Sequence, residues 1–369
     1  MNGYKYAPVL FFAALFALDK IALIPGVAQA GKIDRTPLEN MTDFAGVEMS
    51  RLRGEKLPVY SFFGTSRSEP FKYLGKDEIR SSSLISAAEK NDLMKASFAT
   101  ATIIRASENF VTLNGLMYLI REGKKPDLAV VEISPEMFNG NSPFNAHVNI
   151  QNNVIHRDVL RSCLPLLDGD DLREVQARYL FAMYGSRFRP EAVLRRAVFD
   201  SEDENYFVKL ALNSTPSLQP LPANYLDYDR DRIPEEIYRI RFAGYAVLLQ
   251  KDNILRNFVF SPEELRLVEE IITVSENNDI PLVLWMPRVH PLIQEIWKSS
   301  PFNNQKQRIV DLIKSRGVPF YDGNTDEGAC RLFTDSSHLS WRCGPHLITQ
   351  IQKLASGKYG TRVTQRALR

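Results

Sequence analysis

Four short runs of apolar residues occur along the chain, and stretches with helical spacing separate them. The runs are Val59–Phe63, Leu128–Ile133, Ile280–Met286 and Val318–Tyr321. Apolar runs of this length, without regular polar alternation, are typical of strands that are buried on both faces of a parallel sheet. Glu108–Glu122, between the first two runs, carries apolar residues at helical spacing. Strand, helix and strand in this order predict a right-handed βαβ unit and therefore an α/β fold.

Capping and turn residues mark further boundaries. Ser261 suits a helix cap, Pro262 the first helical position, and Glu264 the position three residues after the cap. Small residues over Ala96–Thr102 predict a strand followed by a turn, and Leu339–Leu354 is expected to contain the closing helix.

The pattern divides the chain into segments of different character. Between the second and third runs the sequence changes to amphipathic helical stretches, which we interpret as a helical insertion over the carboxyl edge of the sheet. The predicted segments are an anchor or signal segment (1–31), a linker (32–56), an α/β domain (57–148 and 261–356), the insertion (149–260) and a basic tail (357–369).

The N-terminal segment has three interpretations. Ala7–Leu18 is a continuous apolar run, too short to span a bilayer, and Asp19 and Lys20 follow it. Counting through Val27 reaches spanning length, with Asp19 and Lys20 inside the segment, and this longer segment suits an uncleaved membrane anchor. The shorter run suits the apolar region of a cleaved signal peptide or a buried helix. Ala28-Gln29-Ala30 is an acceptable cleavage site, although it lies far beyond the apolar run. The first two interpretations both export the domain.

Composition and charge exclude some classes of function. The chain has 369 residues, of which 44% are hydrophobic and 24% charged, and its net charge is +2. These values are ordinary for a globular protein and give no reason to expect a nucleic-acid partner. The sequence contains no H-E-x-x-H or H-x-H spacing, so we expect neither a metal nor another cofactor.

Candidate chemistry begins where the first predicted strand ends. Gly64 closes the apolar run, and Thr65 and Ser66 follow it. In an open α/β sheet, ligands and catalytic groups collect at the carboxyl ends of the strands. Ser66 is therefore the candidate nucleophile, although a lone serine after a strand is often only a turn or cap residue.

A second motif near the C-terminus supplies what a serine nucleophile needs. A neutral hydroxyl requires an imidazole to accept its proton, and the imidazole requires a carboxylate that fixes its tautomer. Asp335 and His338, three residues apart, suit these two roles. The candidate triad is thus Ser66, Asp335 and His338.

The motif Gly64-Thr65-Ser66-Arg67, together with Asp335–His338, resembles the nucleophile and D-x-x-H blocks of the SGNH (GDSL-type) hydrolase superfamily. The segment Pro126–Phe138 resembles a divergent, membrane-anchored bacterial branch. That branch includes the accessory protein of teichoic-acid D-alanylation and the alginate O-acetylation proteins. The resemblance implies a three-layer α/β/α fold of SGNH or flavodoxin-like type, with a mainly parallel central sheet.

The resemblance also implies an oxyanion hole, but its usual residues are missing here. The turn expected near Ala99 and Thr100 lacks the usual glycine, and the G-x-N-D turn is replaced by Ser134-Pro135-Glu136. Ser134 and Asn139 are alternative donors. Thr65, beside the nucleophile, is a further candidate for oxyanion or substrate binding.

Three basic residues and two cysteines complete the candidate site. Arg67 is expected either in a salt bridge or on a substrate anion. Arg288 and His290 follow the predicted strand Ile280–Met286, so they are candidates for binding an anionic or sugar substrate, or surface loop residues. Cys330 and Cys343 bracket the D-x-x-H motif. They are either a disulfide that clamps this loop in an oxidising compartment or two unrelated buried thiols.

Two functions are compatible with these residues. The first is an esterase or O-acyltransferase with an acyl-serine intermediate, exported and held at the inner membrane, acting on an envelope polysaccharide or an acylated, lipid-linked sugar. The second is a non-catalytic envelope scaffold of the same fold that docks a membrane acyltransferase.

Overall fold

The computed structural model describes most of the α/β domain and small parts of the insertion. Described are residues 6–24, 49–54, 57–72, 74–102, 109–141, 164–183 except 168 and 182, 234–242 except 241, 258–299, and 301–360 except 327 and 329. Most of the predicted insertion, the linker and the basic tail thus lie outside the described residues.

Five parallel strands form the central sheet. They are β1 (Val59–Gly64), β2 (Ser97–Thr102), β3 (Leu128–Glu132), β4 (Leu282–Met286) and β5 (Phe320–Asp322), in the spatial order β2-β1-β3-β4-β5. The register pairs Ser61 with Ala99 and Glu132 with Trp285. This flavodoxin-like order reverses direction between β1 and β3, and ligands collect at such a switch point.

Helices cover both faces of the sheet. The described helices are α1 (Ala7–Asp19), α2 (Met49–Gly54), α3 (Glu69–Lys72), α4 (Lys76–Ser81), α5 (Ala87–Leu93), α6 (Asn109–Arg121), α7 (Gly169–Leu180), α8 (Pro262–Asn277), α9 (Pro291–Ser299), α10 (Phe302–Ser315) and α11 (Gly344–Tyr359), and all except α1 contribute side chains to the core. Ser261 caps α8 through the N–H of Glu264, as the sequence predicts. The predicted three-layer α/β/α fold is confirmed.

The core is divided by the sheet into two clusters, because successive residues of a strand point to opposite faces. Val59 and Phe63 of β1 pack with helices α2, α6, α8 and α10 on one face. Tyr60 and Phe62 pack with α3, α4, α5 and α11 on the other. Both faces are apolar, which explains the unbroken hydrophobic runs of the sequence.

One predicted turn is wrong. Residues 97–102 form a complete strand that pairs with β1 along its whole length, as far as Gly64 opposite Thr102. No turn therefore occurs at Ala99 or Thr100, and the residues that follow the strand, 103–108, lie outside the described part of the chain. The small side chains of this segment suit close packing beside the aromatic residues of β1.

Helix α1 projects large apolar side chains into solvent. Phe12 is 68% exposed, and Val9, Leu10 and Phe11 are similarly exposed. The C-terminal end of the helix contacts the end of α7, where Asp19 accepts a hydrogen bond from Met183 N (2.8 Å). Among the described residues, no helix is both long and apolar enough to cross a membrane.

Candidate active site

The turn after β1 carries the candidate nucleophile. Gly64 ends the strand, and Ser66 begins a short 3-10 helix, Ser66–Ser68, that leads into α3. Thr65 caps this helix, since its hydroxyl accepts a hydrogen bond from Arg67 N (3.2 Å). Ser66 is half-buried, whereas Thr65 and Ser68 are buried. The turn thus presents one accessible hydroxyl between two enclosed ones.

A buried carboxylate lies directly beneath this turn. Glu132, the last residue of β3, is 1% exposed and accepts four hydrogen bonds. Its Oε2 accepts from Thr65 N (2.8 Å) and Ser68 Oγ (2.9 Å), and its Oε1 accepts from Thr65 Oγ1 (2.7 Å) and Ser134 Oγ (2.6 Å). Glu132 therefore ties the nucleophile turn of β1 to the neighbouring central strand.

A second glutamate holds the other side of the turn. Arg67 donates two hydrogen bonds to Glu136, from Nη1 to Oε2 (2.8 Å) and from Nη2 to Oε1 (2.7 Å). Both side chains are about 90% buried, and the Arg67 guanidinium lies 5.9 Å from the centre of the Trp297 ring. Of the two roles expected for Arg67, the structure places it in the salt bridge.

The D-x-x-H motif forms a compact loop between two extended segments. Phe333 and Leu339 pair across the loop, and Thr334 N donates to His338 O (2.9 Å). Asp335 Oδ1 accepts from Ser337 N (2.7 Å) and His338 N (2.9 Å). The aspartate therefore stabilises the turn that carries the histidine.

The same aspartate also contacts the imidazole. His338 Nδ1 lies 2.8 Å from both Asp335 Oδ1 and Oδ2. A proton on Nδ1 satisfies the carboxylate and leaves Nε2 as an acceptor. His338 Nε2 lies 2.7 Å from Ser66 Oγ, within hydrogen-bond distance. The structure thus brings Ser66, His338 and Asp335 together in the geometry of a catalytic triad.

Cys330 and Cys343 form a disulfide that closes the base of this loop. Their Cα atoms are 5.6 Å apart and their sequence separation is 13 residues. The bond joins the segment before Phe333 to the short 3-10 helix Trp341–Cys343. The two cysteines are therefore a disulfide that clamps the loop, and they are not two unrelated thiols.

Arg288 and His290 follow β4 but support neighbouring loops. Arg288 is 8% exposed, and its Nη1 donates to Asp326 O (2.8 Å). His290 is buried between Phe242 and Phe333, with ring centroids 4.8 and 5.4 Å away. The backbone N–H of His290 donates to Ser336 O (3.0 Å). Burial lowers the pKa of the His290 imidazole to about 4. Arg288 and His290 are both buried, so neither is a surface loop residue, and substrate binding by these side chains stays a prediction.

The sequence-derived oxyanion donors are not at the nucleophile. Ala99 pairs with Ser61, three residues before the end of β1, which is about 10 Å below the sheet edge at 3.3 Å per residue. Thr100, one residue further along β2, pairs with Phe62. Both residues lie within the strand because the turn expected there does not form.

The other three candidates take part in structural hydrogen bonds, Ser134 and Thr65 as donors and Asn139 through its carboxamide oxygen. Ser134 Oγ donates to Glu132, and both the N–H and the hydroxyl of Thr65 donate to the same carboxylate. The buried Asn139 Oδ1 accepts from Asn141 N (3.1 Å) and Val259 N (3.0 Å), which joins this loop to the start of α8. Each of these side chains has a structural role.

Sequence reasoning missed the two glutamates. Glu132 interrupts the apolar run Leu128–Ile133, and a charged residue within a buried central strand is the signal that could have identified it. Glu136 could not be paired with Arg67 from sequence, since 69 residues separate them. Within the described part of the chain, no three His, Cys, Asp or Glu side chains cluster as metal ligands.

Comparison with known proteins adds one relationship. The model of the family described as "Protein of unknown function (DUF1574)" matches residues 1–353. No curated protein matches the chain.

Proposed function

We propose that this chain, which belongs to the DUF1574 family, is an SGNH-type esterase or O-acyltransferase that uses Ser66 as its nucleophile. The observation that carries the proposal is the continuous path from Ser66 Oγ through His338 (2.7 Å) to Asp335 (2.8 Å). A hydroxyl at an accessible turn, an imidazole whose Nε2 can accept the hydroxyl proton, and a buried carboxylate are the groups required for acyl transfer.

In the first half of the reaction, Ser66 Oγ attacks the carbonyl carbon of an acyl ester. His338 Nε2 takes the hydroxyl proton, and Asp335 stabilises the imidazolium that forms. The tetrahedral intermediate then collapses as the C–O bond to the leaving alcohol breaks. The leaving oxygen receives the proton from His338 Nε2, so the step ends with acyl-Ser66 and a neutral imidazole.

In the second half, water or an acceptor hydroxyl attacks acyl-Ser66. His338 Nε2 removes the proton of the attacking oxygen and returns it to Ser66 Oγ as the acyl–serine bond breaks. Water gives a carboxylic acid and therefore hydrolysis, whereas a sugar hydroxyl gives a new ester. The two outcomes need the same residues of this chain.

The first oxyanion donor in this proposal is the backbone N–H of Ser66. Within the described turn, the N–H groups of Thr65, Arg67 and Ser68 donate to Glu132, Thr65 Oγ1 and Thr65 O respectively. Ser66 N–H lies at the first position of the 3-10 helix, where a helix N-terminus favours negative charge.

For the acceptor we propose an envelope glycan or a lipid-linked sugar on the outer side of the inner membrane. Two features support this location. The disulfide at the base of the D-x-x-H loop suits an oxidising compartment. Helix α1 exposes apolar side chains on all sides, and such a helix suits a bilayer better than water.

In this arrangement α1 enters the membrane and its charged end marks the boundary. The helix has 13 residues, about 20 Å at 1.5 Å per residue, and ends at Asp19. Lys20 contacts both Asp19 and Leu180 O, and Phe181 packs edge-to-face against Phe16. The end of α7 therefore lies at the same level as the end of α1, beside the proposed membrane surface.

A second candidate is a scaffold of the same fold that docks a membrane acyltransferase. One observation favours it: Thr65, Ser134 and Asn139 are all engaged in structural hydrogen bonds. A site with one oxyanion donor loses about 3 kcal/mol or more of transition-state stabilisation. The two candidates differ in whether Ser66 reacts.

The test is covalent labelling of Ser66 with a fluorophosphonate, together with hydrolysis of a generic acetyl ester. We expect the wild-type chain to become labelled at Ser66 and to turn over the ester. Ser66→Ala should lose both reactions, and His338→Gln should lower both by about 10⁴-fold or more. Mass spectrometry of the labelled peptide locates the modified serine.

Ser81→Ala is the matched control, because Ser81 is an exposed serine whose hydroxyl only donates to Glu78 O. This variant should react like the wild type. If the correctly folded wild type is neither labelled nor active on esters, the enzyme proposal is wrong and the scaffold remains. Equal turnover by Ser66→Ala would reject Ser66 as the nucleophile.

A further inference from the structure

We infer that Glu132 is a positioning residue that holds the Ser66 hydroxyl in line with His338, an inference that rests on the proposed function. Glu132 does not contact the reacting groups itself. It binds the residues before and after the nucleophile, through Thr65 N, Thr65 Oγ1 and Ser68 Oγ. Ser66 therefore lies within a segment that is fixed at both ends by one carboxylate.

The carboxylate uses its full hydrogen-bonding capacity in this role. Each of its two oxygens accepts two hydrogen bonds, and three of the four come from the nucleophile turn. A neutral apolar side chain at the end of β3 would avoid the cost of burying a charge. The four donors offset that cost, and together they define one arrangement of the turn.

Gly64 fits the same explanation. A Cβ at this position would lie 2.5 Å from Glu132 Oε2 and 2.7 Å from Glu132 Cβ. Glycine is thus required because the glutamate fills the space beside the strand end. The segment Gly64–Ser68 thus fits around Glu132, because Gly64 leaves space for the glutamate side chain and Thr65 and Ser68 donate hydrogen bonds to it.

Glu136 adds a second anchor from the same segment. It lies in the 3-10 helix Pro135–Phe138 and binds Arg67, the residue immediately after the nucleophile. Ser66 is therefore flanked on one side by a residue bound to Glu132 and on the other by a residue bound to Glu136. The carboxyl end of β3 thus sets the position of the hydroxyl, and the D-x-x-H loop sets the position of the imidazole.

Two buried serines allow a matched experiment. Ser68 and Ser134 are both fully buried, and each donates one hydroxyl hydrogen bond to Glu132. Only Ser68 belongs to the nucleophile turn. Alanine at either position removes one donor from the same carboxylate, so a purely structural role predicts the same effect for Ser68→Ala and Ser134→Ala.

A positioning role predicts different effects. We expect Ser68→Ala to lower kcat by about tenfold with KM changed less than about twofold, because displacement of a reacting group by about 1 Å costs up to about 100-fold in rate. Ser134→Ala should keep kcat within about twofold of wild type. The kcat of each variant is expressed per fluorophosphonate-reactive molecule, so that a smaller amount of folded protein does not lower the measured value.

Glu132→Gln and Glu132→Ala give a second comparison. Glutamine keeps an oxygen for Thr65 N–H, and its amide can donate to hydroxyls that rotate to accept. We therefore expect glutamine to retain about tenfold more activity than alanine at this position. Circular dichroism and thermal unfolding check that each variant is folded.

Equal kcat for Ser68→Ala and Ser134→Ala would overturn the inference. The inference would also be overturned if Ser68→Ala had a smaller labelled fraction than the wild type but the same kcat per labelled molecule. Crystal structures provide a readout independent of activity. The distance from Ser66 Oγ to His338 Nε2 should exceed about 3.5 Å in Ser68→Ala and remain a hydrogen bond in Ser134→Ala. If the wild type does not react, the proposed function fails, and this distance still decides whether Glu132 positions Ser66.

Discussion

Gly64 and Glu132 are in contact across the two central strands, and the space between them admits no side chain at position 64. A Cβ added to Gly64 would lie 2.5 Å from Glu132 Oε2 and would also collide with Ser68 Oγ. The glycine at the end of β1 is thus required by a residue that follows it by 68 positions. Close packing of this kind makes the turn sensitive to the smallest substitution.

Gly64→Ala is therefore expected to lower the free energy of unfolding by about 1–3 kcal/mol, since the methyl group must displace buried neighbours. Urea unfolding measures the change. Gly357→Ala is the matched control, because no atom lies within 4 Å of a Cβ there and the residue is inside helix α11. That variant should gain up to about 1 kcal/mol. Equal effects of the two substitutions would contradict the steric explanation.

Reduction of the Cys330–Cys343 disulfide should destabilise the folded chain. The bond closes a loop with a sequence separation of 13 residues, for which chain entropy predicts about 3 kcal/mol. We expect the double variant Cys330→Ser/Cys343→Ser to unfold at lower urea concentration and to react more slowly with fluorophosphonate, since the loop carrying His338 is less restrained. A reducing agent should affect the wild type but not this variant. If reduction leaves the wild-type unfolding midpoint unchanged, the disulfide does not clamp the loop.

His290 should make the stability depend on pH. Burial lowers the pKa of its imidazole to about 4, whereas the unfolded chain binds the proton near pH 6.5. The neutral folded imidazole therefore contributes its full stability above about pH 6.5, and this contribution is lost as the pH falls from about 6.5 to 4. The loss attributable to this group is on the order of 3 kcal/mol.

His290→Asn tests this expectation. Asparagine does not titrate, and its carboxamide oxygen can still accept from Leu292 N as the His290 Nδ1 does (3.2 Å). Unfolding free energies at pH 7 and pH 4.5 should differ less in the variant than in the wild type. An unchanged difference would show that other groups cause the acid sensitivity.

Helix α1 should bind lipid bilayers. Each aspartate placed at an apolar position within a membrane costs about 3 kcal/mol, so Phe12→Asp should reduce the bound fraction by roughly 100-fold at limiting lipid. Flotation with anionic vesicles measures the binding. Leu354→Asp is the control, because Leu354 is an exposed apolar residue (37%) on α11, away from α1. Equal losses in the two variants would argue against α1 as the membrane contact.

Four strands of the sheet could be predicted because each coincides with a short apolar run, whereas the small residues of β2 predicted a turn that does not form. The turn at Ser66 and the loop at His338 could also be recognised, since their residues are consecutive in sequence. Three of the four hydrogen bonds of Glu132 could not, because their donors follow a different strand, 64 to 67 residues away. Only the sheet order places the two strand ends side by side.

The contacts of the oxyanion candidates could not be predicted either, although these residues are close to the site in sequence. Ser134 and Asn139 are near the right strand and have suitable polar atoms, but sequence does not reveal what those atoms contact. The structure commits Ser134 to Glu132 and Asn139 to the backbone of Val259. Polar residues close to a site commonly form hydrogen bonds with buried polar groups, and the sequence alone does not show which groups these are.

The path of the chain has a consequence for when the site comes into existence. The hydroxyl comes from the first strand, whereas its imidazole partner, 272 residues later, immediately precedes the last helix. Proteins fold from their N-terminal side during synthesis, so a nascent chain carries Ser66 without a base until almost all of it has emerged. An unfinished or C-terminally truncated molecule would thus carry Ser66 without the imidazole that the proposed acyl transfer requires.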